Sequence, residues 1–310
     1  MQRRNFLKNS LIAAGVLTVS KTDAFTSSST KNADDSVNNA LSEPPVLRRS
    51  IMWGTCGVEG SVLDKCRAIK AAGFDGIEPN SHMSRNEVID AVKATGLTIS
   101  SVCNSKHWNV PLSSPDATVR QEGIAAMLVA MEDAKAYGTD AVLLVPGIVN
   151  DSVGYDDCWN RSTECIRKLI PAAEKLKVQI CIENVWNNFL LSPLEAARFV
   201  DQFESQYVKF YFDCGNILNY GWPDQWLKIL GNRVGRIHIK EFSKSIADKQ
   251  GRGAGFGVKL TEGEVPWAKV MQQIMSVYTG GWLTTEQGSS KTPEELKDLL
   301  SRLDKIIAMK

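Results

Sequence analysis

From Arg49 onward, short apolar runs bounded by glycine, proline or aspartate alternate with longer stretches whose apolar residues recur at helical spacing. The short runs predict strands at Ser50–Thr55, Asp75–Pro79, Leu97–Asn104 and Ala141–Val145. Four more end in VQICIEN at Glu183, VKFYFDCGN at Asp213, VGRIHIKEF at His238 and GGWLTTEQG at Glu286. Helices are predicted over Val62–Ala72, stopped by Gly73, and through Glu87, Val88, Ile89 and Val92. A long helix is opened by Ser114 and Pro115 and ends at Gly138. The next runs from about Asp156 to Leu176, and Pro171 inside it predicts a kink or a split. Ser192-Pro193-x-Glu195 and Thr292-Pro293-x-Glu295 read as capping boxes opening two further helices. Helical patterns also cover Trp222–Leu230 and Val265–Val277, and the last helix keeps Leu296, Leu299, Leu300, Leu303, Ile306 and Ile307 on one face.

Strict strand–helix alternation implies a parallel sheet with crossover helices. Eight such units predict the α/β class and a single (β/α)₈ TIM barrel over residues 49–310. The competing architecture, an open doubly wound sheet, lacks a GxGxxG after its first strand.

In a barrel the C-terminal strand ends share one mouth, so what stands at those ends matters. Side chains alternate across a strand, which puts His238 opposite Ile237 and Ile239, Glu183 opposite Ile180 and Ile182, and Asp213 opposite Phe210 and Phe212. The apolar set faces one way and the polar end the other. Glu183, Asp213, His238 and Glu286 therefore form a candidate mixed N/O metal site on four successive strands. Mn²⁺ is the first choice of ion, with Mg²⁺, Co²⁺ and Zn²⁺ compatible. Such an ion supports an enediolate as a proton leaves carbon, and Glu183 and Glu286 are the candidate catalytic acid–base pair.

Around this set stand candidate sugar-binding residues: Glu78 at the end of the second strand, His107 and Trp108 after the third, Trp186 and Asn187 after Glu183, and Lys240 two residues past His238. His82 reads as exposed loop. Ser243–Glu264 is a long insertion, made flexible by Gly251, Gly253, Gly255 and Gly257 and placed to cover the mouth. Its Lys244, Lys249 and Arg252 are candidates for an anionic substrate group.

Composition and charge narrow the choice of partner. Lys+Arg 36 against Asp+Glu 35 gives no field for nucleic acid or anionic membrane. No apolar run is long enough to span a bilayer, so no membrane insertion of the mature chain is expected. The seven cysteines form no CxxC pair and read as small buried hydrophobes, including Cys181 and Cys214 beside two of the carboxylates. The start, MQRRNFLKNSLIAAGVLTVSKTDAF, reads as a twin-arginine export signal over residues 1–25, and residues 26–48 as a disordered polar linker. The expected location is the bacterial periplasm.

The segments GFDGIEP, IENVWNNFLLSP, YFDCGN, GRIHIKEF, LTEGEVPW and GGWLTTEQ, in this order, resemble the sugar phosphate isomerase/epimerase family with xylose isomerase-like TIM barrels. The resemblance implies that Glu183, Asp213, His238 and Glu286 are the ligands of one divalent ion, that the two glutamates transfer protons, and that Lys240 and the region of His107 contact substrate. Ketose 3-epimerases of the family often carry a glutamate where this chain has Phe189, and a histidine where it has Asn216, both binding substrate there. These departures point away from free ketoses and make Asn216 a substrate-contact candidate. The abasic-site endonuclease branch needs more histidines than the three present.

The expected function is a metal-dependent isomerase or epimerase acting on an unphosphorylated sugar or keto-sugar, since phosphorylated sugars are mainly cytoplasmic. The alternatives are a lyase or hydratase that cleaves a keto-sugar glycoside by elimination, and a non-catalytic sugar-binding barrel. The oligomeric state is left open.

Overall fold

The computed structural model describes residues 46–288 and 290–310. The predicted export signal lies outside them, as does the predicted linker except for its last residues. Arg48, assigned to that linker, already opens the first strand.

Nine parallel strands form one nearly closed barrel: β1 (Arg48–Met52), β2 (Gly76–Glu78), β3 (Thr98–Ile99), β4 (Val102–Cys103), β5 (Ala141–Leu144), β6 (Gln179–Glu183), β7 (Val208–Asp213), β8 (Val234–Ile239) and β9 (Trp282–Thr285). The sheet runs β3-β2-β1-β9-β8-β7-β6-β5-β4. Its two edges, β3 and β4, are halves of the single strand predicted over Leu97–Asn104. That strand breaks at Ser100-Ser101: Ile99 pairs back to Ile77 of β2, and Val102 and Cys103 pair forward to Val142 and Leu143 of β5. The freed Ser100 carbonyl accepts bonds from Thr139 Oγ1 and Arg236 Nε, each at 2.9 Å, so the break leaves no orphaned acceptor there. The first strand is shifted from its predicted Ser50–Thr55, because Trp53–Thr55 winds into a 3₁₀ turn.

The alternation of side chains divides the core. Val142, Leu144, Ile180, Ile182, Phe210, Phe212, Ile237 and Ile239 pack outward into the helix layer, whereas Cys103, Ala141, Leu143, Val145, Cys181 and Tyr211 form a smaller cluster within the barrel. All seven cysteines are buried and unbridged, as small hydrophobes would be. Register then fixes the rims: Glu183 pairs with Tyr211, Asp213 with His238, and His238 with Thr284.

The helix ends follow the sequence closely in places. Val62–Ala72 is capped by a reciprocal Ser61/Asp64 box and closed by Gly73 in the left-handed region at φ 106°. The box at Thr292/Glu295 is complete, whereas Ser192 caps Glu195 N but the Glu195 carboxylate bonds Leu191 N and the Tyr155 hydroxyl instead of Ser192. The long helix starts later than Ser114-Pro115 suggested, because Asp116 supplies the cap to Ala117–Tyr137. Pro171 splits nothing: Tyr155–Leu176 runs through it as one helix. A proline there costs about 3 kcal/mol, and six buried residues of this helix, from Cys158 to Ala173, hold it against the barrel. Two further helices, Cys214–Leu218 and Lys244–Gln250, were not legible from periodicity. Among the described residues no helix is long and apolar enough to cross a membrane.

The insertion Ser243–Glu264 is also more ordered than its glycines suggested. Buried Glu241 gathers its returning end: one carboxylate oxygen accepts from Val265 N, and the other from Thr261 N and Trp267 Nε1 at 2.8 and 2.7 Å. The Glu264 carboxylate in turn ties Ser243 Oγ and Ser245 N. These charge-assisted bonds replace the entropy of a free loop with a fixed stem.

Candidate metal centre and active site

The four predicted ligands meet. One donor atom from each of Glu183, Asp213, His238 and Glu286 can be chosen so that all lie within 4.8 Å of one another. His238 is their centre: Nδ1 stands 3.0 Å from Glu286 Oε2, 3.3 Å from Glu183 Oε1 and 3.9 Å from Asp213 Oδ2. Glu183, Asp213 and His238 are buried, and Glu286 is partly open to the mouth.

Asp213 shows how local structure and site share one residue. Its Oδ1 caps the helix Cys214–Leu218 by accepting from Asn216 N at 2.6 Å, and its Oδ2 has no hydrogen-bond partner. That helix comes within reach of β8 because Gly215 lies against Lys240; a Cβ at Gly215 would sit 2.8 Å from the Lys240 carbonyl oxygen. Glu286 Oε2 is a second buried oxygen, and the Lys240 ammonium stands 3.3 Å from the first and 2.7 Å from the second. Buried carboxylate oxygens crowded in this way call for positive charge. Three carboxylates and one imidazole nitrogen also suit a hard or borderline divalent ion, so the residues present fit one.

The electrostatics differ from one carboxylate to the next. Burial pushes the Glu183 carboxyl up to about 7, with His238 pulling the other way. Burial likewise raises Asp213, opposed by Lys240. Burial would also raise Glu286, yet the charges of Lys240 and His238 hold it well below the usual carboxylate range. Burial alone would lower His238, but Glu78 and Glu286 raise it well above its ordinary value.

Lys240 Nζ stands 2.7 Å from Glu286 Oε2, 3.3 Å from Asp213 Oδ2 and 3.4 Å from Asn216 Oδ1. Asn216 keeps a buried Nδ2 without a partner, at the same wall. Trp186 donates from Nε1 to the Asn216 carbonyl at 3.3 Å and packs against Phe242 and Phe256, with the Arg252 guanidinium 4.1 Å from its ring centroid. Trp186 thus joins the ligand-bearing strands to the insertion. Lys244 and Lys249 are exposed on the insertion helix. His107 is buried with Nδ1 unpartnered, and burial pushes it down to about 4 against the pull of Glu286, so its ring is neutral at neutral pH. Trp108 is half exposed and stands edge-on to His107. His82 is an exposed turn residue, as expected.

Glu78 is not where a substrate contact would be. It has no exposed surface, and its carboxylate contacts His238 Nε2, on the ring edge away from the other carboxylates. Asn187 donates from Nδ2 to the Gly147 carbonyl, and its buried Oδ1 has no hydrogen-bond partner. Phe189 turns into the helix layer among Tyr155, Trp159 and Phe199, so this position offers nothing to the mouth. Sequence reasoning missed Asn184, whose Nδ2 and Oδ1 are both buried and unpartnered immediately after Glu183. Its place one residue past a ligand was the available signal. Tyr211 and Ser101 were also missed, because a tyrosine in a core strand and a serine in a predicted one carry no site signature.

The family described as xylose isomerase-like TIM barrel matches residues 66–306. L-ribulose-5-phosphate 3-epimerase UlaE of Salmonella paratyphi C (strain RKS4594) is 24% identical over 237 residues, which cover 71% of this chain and 80% of that protein. The solved 3-keto-D-glucoside 4-epimerase YcjR of E. coli superposes with a TM-score of 0.71 at 16% identity, covering 84% of this chain and 99% of that one. D-allulose 3-epimerase from Methylomonas sp. gives 0.67 at 17% identity, covering 85% and 99%. All three are sugar epimerases, enzymes of the isomerase class, and the structural matches carry the fold. A family match over residues 66–306 on a parallel barrel places the chain among its members: it belongs to the xylose isomerase-like TIM barrel family.

Proposed function

We propose that the protein is a divalent-metal-dependent sugar epimerase or isomerase whose substrate is an unphosphorylated sugar or keto-sugar. The observation that carries this reading is the convergence of two carboxylates from different strands, Glu183 and Glu286, on one nitrogen of His238 at 3.3 and 3.0 Å, with Asp213 beside them. Glu183, Asp213, His238 and Glu286 would hold the ion, which when bound polarises the hydroxyl and carbonyl oxygens of a sugar. Glu183 and Glu286 take and return the proton at the carbon beside the carbonyl. Lys240 supplies a positive charge next to the developing oxyanion, and Asn216, Asn184 and His107 offer unpartnered polar atoms to sugar hydroxyls. Trp108, half exposed, offers an aromatic face to a sugar.

One feature favours an unphosphorylated substrate and another a keto-glycoside. The twin-arginine start supports export to the periplasm, away from most sugar phosphates. Phe189, buried in the helix layer, removes a side chain that free-ketose epimerases use, which favours a keto-glycoside over a free ketose. The test is incubation of Mn²⁺-loaded protein with ketoses and 3-keto-glycosides in D₂O. Deuterium at carbon with the skeleton retained is the expected result. Loss of the aglycone would replace this reading with an eliminating lyase, and sugar binding with no turnover across the panel would overturn catalysis.

A further inference from the structure

We propose that Glu78, Tyr211 and Ser101 form a positioning unit that decides which nitrogen His238 offers to the metal. Glu78 Oε2 lies 2.8 Å from His238 Nε2, while its Oε1 accepts from Ser101 Oγ at 2.7 Å and from the Tyr211 hydroxyl at 2.8 Å. All four residues are fully buried. Tyr211 acts twice, because its ring also packs on the imidazole with centroids 4.3 Å apart at 49°.

A buried carboxylate left without bonds is costly. Two hydroxyl donors satisfy Oε1. Oε2 is satisfied by the N–H of His238, which makes Nε2 the donor and leaves Nδ1 to face Glu183, Asp213 and Glu286. Were the ring flipped, a nitrogen would lie against no acceptor and the metal face would lose its donor. This also gives the broken third strand a task. Ser101 sits at the break between β3 and β4, and regular pairing there would not leave its backbone free to turn the hydroxyl onto Glu78.

The inference rests on the reading of Glu183, Asp213, His238 and Glu286 as a metal site, and the experiment separates the two. Zn²⁺ affinity is measured by titration calorimetry for the full-length wild type and for Glu78→Ala, Glu78→Gln, Tyr211→Phe and His238→Ala. In parallel, two-bond ¹H–¹⁵N spectra of histidine-labelled, Zn²⁺-loaded protein report the state of each ring nitrogen, a tractable measurement with three histidines. Wild type is expected to show an Nε2–H, Nδ1-bound ring. Glu78→Ala should weaken Zn²⁺ binding about 10- to 100-fold and disperse that signature. Glu78→Gln, which can still accept from Nε2–H, should recover most of the affinity and the signature, a rescue that mere packing loss would not produce in the spectrum. Tyr211→Phe should weaken binding by a smaller factor, and with Glu78→Gln it carries the test if Glu78→Ala does not fold. Affinity within twofold of wild type and an unchanged His238 signature in Glu78→Ala or, failing that variant, in both others, while His238→Ala loses the ion, would overturn the positioning role alone. No Zn²⁺ binding by wild type would overturn both it and the metal site.

Discussion

Arg236 and His238 are two residues apart on the same inward face of β8, yet the two ends of the barrel they serve are built on opposite terms. Arg236 is nearly inaccessible and each of its three guanidinium nitrogens has an acceptor: Nε the Ser100 carbonyl, one terminal nitrogen the Gly235 carbonyl, the other the Asp140 carboxylate. At the other end, Asn216 Nδ2 and both polar atoms of Asn184 are buried without partners, and Asp213 Oδ2 and Glu286 Oε2 are met only by the side chains of Lys240 and His238. A saturated polar network is structure, since nothing in it is free to meet a ligand. An unsaturated one, on a rigid barrel, is held ready for something that completes it. The comparison distinguishes buried charge that closes the fold from buried charge that performs chemistry, at positions the sequence presents as equivalent.

The sharpest way to break the comparison is His238→Ala. It removes a ligand outright, so metal content and turnover should each fall by more than about a hundredfold, beyond the cost of losing only an outer hydrogen-bond partner. Metal analysis and kinetic assay check this, and unchanged metal with full activity would end the assignment.

The next effect is on pH. The ion binds deprotonated carboxylates and a neutral imidazole, whereas without it Glu183 is pushed up to about 7 by burial, and Asp213 and His238 are also raised. Protons therefore compete with the ion as pH falls. Affinity should weaken on going from pH 8 to pH 6, by about tenfold per pH unit for each proton released. Calorimetry in buffers of different ionisation enthalpy counts those protons; affinity independent of pH over this window would contradict the coupling.

The smallest effect at the mouth belongs to the other end. Arg236→Met should leave Mn²⁺ affinity within about twofold while costing about 1–3 kcal/mol of stability for each buried carbonyl left unpartnered. The Gly235 carbonyl is the one most exposed to that loss, because Ser100 keeps its bond from Thr139. Thermal unfolding and metal titration on the same sample separate the outcomes. A loss of metal equal to that in His238→Ala would show that the two ends are one network after all.

What could be read from the chain was periodicity and parity. Alternation along β6, β7 and β8 forces Ile180, Ile182, Phe210, Phe212, Ile237 and Ile239 outward and so turns Glu183, Asp213 and His238 inward, whatever the barrel's exact geometry. Strand–helix alternation in turn sets a parallel barrel whose strand ends share a mouth, so the ligand set follows from local rules. Glu78 obeys the same local rule and has a different role. A strand's end is visible in sequence, but its height and bearing depend on the stagger between strands, a closure property of the whole sheet. The break at Ser100-Ser101 has the same origin: its residues look like continuous strand, and only the need to pair β2 on one side and β5 on the other divides them. The order of the insertion likewise rests on Glu241 meeting Thr261, Val265 and Trp267, 20 to 26 residues away in sequence. The sequence by itself therefore determined the barrel, its mouth and the four residues that meet there, because those follow from rules acting over a few neighbours. Tertiary structure decided that Glu78 stands behind His238, that Asn184 is left unpartnered and that each guanidinium nitrogen of Arg236 meets an acceptor, because each depends on distances between strands that alternation does not encode.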